Sequence, residues 1–265
     1  MKIIISHDVD HLFWSEHWLN DAYIPKYILR HTRNWTGRSI NADLWWRRIR
    51  APFIGAPFNH LEELLIMDRE FGVRATYFIG MRRGLGMSYD HDAARRVITR
   101  LLEAGVEVGV HGVEYTNSKG IAEEADVFRS MMPGGTAFGV RNHYLRWADN
   151  TLLLQATAGY QFDSSEEGVR SPYVKHGIFE FPVCLMEVRL LPENETVGID
   201  KVKMETERML MDAERSGITH FTILFHDIYF SPLFPQHQAW YSWLISWLRE
   251  RFEWSDFNQA CWSLA

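Results

Sequence analysis

Two hydrophobic periods alternate along the chain. Short runs of β-branched, aromatic and aliphatic residues predict strands: KIIIS (2–6), GVRATYFIG (72–80), GVEVGVHG (105–112), GGTAFGVR (134–141), GYQFDSS (159–165), IFEFPV (178–183) and HFTILFHD (220–227). Between most of them apolar residues recur at helical spacing, over 58–71, 91–105, 122–132, 148–159 and 200–217, the last ending on a glycine. Strand then helix, repeated, predicts a parallel sheet. About seven such units exceed what an open sheet of this length usually carries, so the expected fold is α/β, a distorted or incomplete β/α barrel of about seven parallel strands.

Two segments stand outside this alternation. Residues 12–57 are too long for a simple crossover and carry Trp14, Trp18, Trp35, Trp45 and Trp46, which predicts a Trp/Arg-rich insertion after the first strand, packed over the barrel. Near the other end, Trp240, Trp243, Leu244 and Trp247 fall on one helical stripe, expected to close the barrel. Exposed, the same stripe would mark a dimer contact, and the sequence does not choose an oligomeric state.

Composition acts mainly by exclusion. With 46% hydrophobic and 23% charged residues in 265, the chain can bury a large core, and one domain over 1–265 is expected. A net charge of −6 gives no general attraction to nucleic acid, and no apolar run approaches the ~18 residues of a membrane span. Cys184 and Cys261 form neither a zinc spacing nor a disulfide framework. The first residues enter a strand with no leader pattern ahead of them, so a cytoplasmic location is expected.

The polar residues then fall into one pattern. Asp8 and Asp10 follow the first strand run, and His111, Arg141, His143, Asp163 and His226 close later ones. In β/α barrels the C-terminal strand ends carry the active site. A carboxylate with imidazoles suits zinc or a similar divalent ion with an open position, while a second carboxylate and a further histidine can handle protons. Alternation along the strand turns His7 and His11 away from Asp8 and Asp10.

The motifs SHDVD, RATYFIG, VGVHG, GVRNHY, FDSS and TILFHD, in this order from Ser6 to Asp227, resemble the polysaccharide deacetylase family with the NodB homology domain, carbohydrate esterase family 4. The resemblance implies a metal-dependent hydrolase, with zinc as the divalent ion, that removes an N-acetyl group from a sugar or carbohydrate conjugate. Position by position it implies Asp8 as base, Asp10 and His111 as metal ligands, and Arg141 as the residue holding the base. It further implies the backbone amide of Tyr144 as oxyanion donor, His226 as acid, and Asp163 as the carboxylate orienting that acid. The family's second metal histidine, four residues after the first, is replaced by Tyr115. His143 is therefore expected as third ligand, with Asn117 and His11 as weaker candidates. Branches from surface-polysaccharide loci are similar in these motifs, which by analogy suggests a nucleotide-linked or lipid-linked sugar made inside the cell.

Each assignment has a plainer competitor. Asp10 could cap a helix, His226 could be a core histidine, His143 a structural hydrogen-bonder, and Asp163 with Ser164 and Ser165 an ordinary turn. The whole chain could be a degenerate glycan-binding relative, or a metal hydrolase of another carbon–nitrogen amide bond such as a formyl group or cyclic ureide. Between Lys26 and Arg50, seven basic residues face the single acid Asp43 among tryptophans. That patch suits a pyrophosphate or an anionic membrane surface, against the slightly favoured reading of a solvated face whose tryptophans pack on the barrel.

Overall fold

The computed structural model describes residues 1–17, 22–55 and 57–264, so Trp18 lies outside the described residues. Strand β1 (Lys2–Val9) enters the centre of a sheet. The insertion follows with α1 (Tyr23–Thr36) and α2 (Ala42–Arg50), and then α3 (Leu61–Glu70) leads into β2 (Thr76–Gly80). The alternation continues with α4 (His91–Glu103), β3 (Glu107–Gly112), α5 (Ser118–Arg129), β4 (Val140–Asn142), α6 (Thr151–Ala158) and β5 (Phe162–Asp163). Next come β6 (Tyr173–Lys175), β7 (Ile178–Glu180), β8 (Val183–Met186), the single turn α7 (Glu187–Leu190) and α8 (Ile199–Arg215). The chain ends with β9 (His220–Leu224), α9 (Pro235–Arg249), β10 (Glu253–Ser255) and α10 (Phe257–Leu264).

The sheet runs β6-β7-β5-β4-β3-β2-β1-β9-β8, with β10 added alongside the start of β1. Every pairing is parallel except the β6–β7 hairpin, which the periodicity did not predict. Beyond β5 the chain continues along β8, with Val183 N donating to Glu166 O at 2.7 Å and a parallel bridge between Glu167 and Val183. This bridge ties the segment after β5 to β8 at the far end of the sheet, giving the expected distorted barrel.

Alternation along β1 sorts its residues. Ile3, Ile5 and Val9 join the layer under the helices, while Ile4 joins Phe78, Phe162, Phe181 and Phe257 in the interior. The interior is thus an aromatic plug, and close packing sets its shape: a Cβ on Gly139 would lie 2.3 Å from the Phe162 ring. Helix starts are set by local caps, as where Asp90 accepts from Ala93 N at 2.8 Å and Asn41 accepts from Leu44 N at 2.8 Å. In the tail, Trp240 and Leu244 are fully buried on α9 and Trp243 and Trp247 half-buried, as expected of a stripe that covers the barrel.

The insertion divides into two faces. Trp14, Ile24, Tyr27, Ala51 and Phe58 form a buried cluster, whereas Trp35 and Trp46 are exposed. Arg48 is fully buried: it donates to Leu233 O (2.7 Å), Glu193 O (2.9 Å) and Glu195 Oε1 (2.8 Å), and stacks 4.5 Å from the centre of Phe234. One of the seven basic residues is therefore a bolt between insertion and barrel.

Candidate active site

The inward alternation that buries Ile4 continues to Asp8 at the end of β1. Arg141, from β4, donates through one terminal nitrogen to Asp8 Oδ1 at 3.0 Å. Its other nitrogens bond Ser164 O (2.9 Å) and Ser164 Oγ (2.8 Å), and the guanidinium lies 4.4 Å from the centre of Phe78. Both partners are almost wholly buried, so this fixed geometry is what makes the charge pair tolerable there. Asp8 Oδ2 lies 3.8 Å from His111 Nε2.

Beside this pair, Asp10, His111 and His143 bring one ligand atom each to a common point. His111 Nε2 is 3.0 Å from Asp10 Oδ1 and 2.9 Å from His143 Nδ1, and His143 Nδ1 is 3.2 Å from Asp10 Oδ1. In a tetrahedral zinc site with bonds near 2.1 Å, ligand atoms stand about 3.4 Å apart. The far nitrogen of each ring faces a backbone carbonyl, His111 Nδ1 to Arg141 O at 3.0 Å and His143 Nε2 to Leu85 O at 3.3 Å. A ring that donates to a carbonyl turns its other lone pair inward, the arrangement of metal-bound histidines. Burial would raise the Asp10 carboxyl, but the facing His143 and His111 outweigh it and hold the group well below the usual carboxylate range. Burial likewise works to lower His111, and the carboxylates of Asp8 and Asp10 raise it. The donor set thus fits a divalent cation.

The other two ligand candidates do different work. Asn117 caps α5, accepting from Lys119 N and Gly120 N at 3.1 and 3.3 Å, and His11 stacks on Phe58 with ring centres 4.9 Å apart. His7 is tied to Phe225 O and Asp68 on the side away from Asp8.

The expected partner of His226 requires a correction. His226 Nδ1 meets Glu187 Oε1 at 2.5 Å, and the same oxygen accepts from the His226 backbone N–H at 3.3 Å. Burial would lower this imidazole, but the Glu187 carboxylate pushes it up to about 10. Asp163 instead accepts from Ser165 Oγ (2.6 Å) and Gln155 Nε2 (3.1 Å) and faces Glu180, its neighbour in the β5–β7 ladder. Burial raises both of these carboxyls, and Asp163 raises Glu180 further. Ser165 Oγ in turn accepts from Asn142 N at 2.8 Å, so Asp163 supports the end of β4 that carries Arg141 and His143. Glu187 follows the apolar run PVCLM and obeys the same strand-end rule as the other site residues. The sequence reading missed it by ending that strand at Val183.

The site opens into a cavity of about 420 Å³ lined by Asp8, Asp10, His143, Tyr144 and His226, with Tyr23 and Arg30 from the insertion. Tyr144 and Leu145, consecutive and non-glycine, both adopt left-handed backbone conformations, φ 60° and 50°. Strain of this kind is retained where surrounding structure enforces it, and it re-aims the chain directly after His143. Two ion pairs rim the cavity, Arg30–Glu193 (2.9 Å) and Arg189–Glu167 (2.8 Å). A larger cavity of about 780 Å³ lies among the opposite strand ends, near Lys2 and His220, and the Asp10–His111–His143 group is not part of it.

No protein-family model and no curated protein sequence matches this chain. Among solved structures, one assigned as a polysaccharide deacetylase from Mycobacterium smegmatis is 17% identical with a TM-score of 0.66, over 99% of this chain and 89% of that one. Another, assigned as a polysaccharide deacetylase from Pseudomonas aeruginosa, is 12% identical with a TM-score of 0.60, over 98% and 88%. The α-amylase AmyC from Thermotoga maritima is 9% identical with a TM-score of 0.57, over 100% and 75%. A likeness at these identities establishes the fold: this chain is a distorted β/α barrel of the kind that these carbohydrate-active structures share.

Proposed function

We propose that this protein is a metal-dependent hydrolase that removes an N-acetyl group from a sugar or carbohydrate conjugate. The observation that carries the reading is the convergence of Asp10, His111 and His143 beside an arginine-held Asp8, in a cavity that also contains the carboxylate-held His226. A divalent ion, zinc by its fit to these donors, would polarise the acetyl carbonyl and make a water more acidic.

The protein's own groups supply the remaining steps. Asp8, its Oδ1 fixed by Arg141, takes the proton of the attacking water on Oδ2. The backbone amide of Tyr144 donates to the developing oxyanion. His226, protonated because Glu187 stands behind Nδ1, gives the proton on Nε2 to the departing amine. Asp163 acts on these groups through the Ser165–Asn142 contact as a positioning residue.

A glycosidase of the amylase kind fits this cavity less well. Such enzymes need one carboxyl kept protonated as acid. Here Asp8, Glu167 and Glu193 each face an arginine and Asp10 faces two imidazoles. A binding-only relative has no use for the Asp8–Arg141 and His226–Glu187 pairs. The cavity volume suits a substrate of one or two sugar units, with a nucleotide or lipid carrier left outside, and the site would act within the cell. Purified protein is expected to contain stoichiometric divalent metal and to release acetate from N-acetyl sugars. Metal-free protein that stays inert when zinc is added would overturn the proposal.

A further inference from the structure

The basic segment between Lys26 and Arg50 looks different once Arg48 is removed to the interior and Arg47 is paired with Asp43 at 3.1 Å. Arg33, Arg38 and Arg50 remain exposed, with no acid partner among the described residues. The segment carries seven basic residues and one acid in a chain of net charge −6, which leaves the remainder at −12. Within it Arg30 pairs with Glu193, Arg47 with Asp43 and Arg48 with Glu195, so the exposed arginines that keep their charge free among the described residues are Arg33, Arg38 and Arg50.

The same insertion also exposes apolar side chains. Leu29 is 50% exposed, Trp46 52% and Ile54 61%. Trp46, Arg50 and Ile54 follow one another at four-residue spacing, and Trp46 continues through Trp45 to Trp35, with ring centres 6.1 and 4.3 Å apart. Isolated exposed apolar residues are ordinary, but three tryptophans in ring contact, with exposed aliphatics and unpaired arginines on the same insertion, are not.

We infer that this face of the insertion rests on an anionic lipid bilayer. Tryptophan rings settle at headgroup depth, arginines meet the phosphates, and Leu29 and Ile54 reach the acyl boundary. A second copy of the chain is disfavoured because two such faces would bring like charges together. Nucleic acid would use the arginines and leave Leu29 and Ile54 without a role. The placement also bears on access to the site. A groove of about 310 Å³, lined by Arg30, Asn34, Pro192 and Asn194, shares Arg30, Glu193 and Tyr229 with the active-site cavity and runs beside α1, the helix that presents Leu29 and Arg33. The inference does not depend on the site being hydrolytic.

Full-length protein should pellet with vesicles of phosphatidylcholine containing one-third phosphatidylglycerol, pellet far less with phosphatidylcholine alone, and dissociate as salt rises. Its tryptophan emission should shift to the blue on binding. The double variants Arg33→Glu with Arg50→Glu, and Trp46→Ala with Ile54→Ser, should each weaken vesicle binding roughly tenfold or more. All four positions are exposed and outside the site, so retained metal content and circular dichroism serve as folding controls. Absence of pelleting with anionic vesicles, or equal pelleting of wild type and both variants, overturns the inference. So does sedimentation equilibrium showing a dimer that both variants dissolve, which would give the face to a second copy.

Discussion

His111 lies near the end of β3 and His226 two residues beyond β9, and both stand near carboxylates, yet a different group stands behind each ring. Behind His111 is the carbonyl of Arg141, a neutral acceptor, while its Nε2 faces Asp10 and His143. Behind His226 is the carboxylate of Glu187, which holds a full proton on the ring. In the proposed mechanism carbonyl backing suits an imidazole to the ligand role and carboxylate backing to the acid role. His143 shares the first arrangement through Leu85 O.

The comparison can be broken in order of expected effect. His111→Ala or His143→Ala should each remove metal from the purified protein and lower activity roughly 10³-fold, because oxyanion stabilisation goes with the ion. Unchanged metal content in His143→Ala would place the third ligand elsewhere. His226→Ala should cost roughly 10²- to 10³-fold in kcat while leaving metal content at wild-type level, and that dissociation of the two readouts separates acid from ligand.

A third substitution sharpens the difference without removing either ring. Glu187→Gln keeps a hydrogen-bond acceptor but takes away the charge. Catalysis needs His226 protonated, so its alkaline limb in kcat/KM follows the imidazole pKa. Loss of the carboxylate should move that limb downward from near 10 toward ~6.5. An unmoved limb would assign the proton to another group. The smallest effect is expected from Ser165→Ala, which cuts the link between Asp163 and Asn142. It should destabilise the fold by about 1–3 kcal/mol in urea titration, with metal still bound.

Legibility differed from residue to residue. The seven strand runs and the inward set Asp8, Asp10, His111, Arg141, His143 and His226 could be read from period and strand-end position, because alternation is a local property of the chain. Glu187 escaped because Pro182 interrupts the run between the short strands β7 and β8, and the expected strand ended at Val183 although the apolar residues continue to Met186. Asp163 was placed on the right strand end but with the wrong neighbour, since which side chain it meets depends on the β5–β7 register. The β6–β7 hairpin and the pairing of β10 with β1 also had no local signature.

By itself the sequence determined the period of each element, the strand ends at which polar groups emerge, and the absence of a histidine four residues after His111. These depend on backbone geometry within a few residues. Only the tertiary structure decided that His143 stands 2.9 Å from His111, that Glu187 rather than Asp163 backs His226, and that Arg48 is buried while Arg33 and Arg50 face out. Those outcomes join residues up to 185 positions apart, as in the Arg48–Leu233 bond, and are set by sheet register and packing that no local pattern encodes.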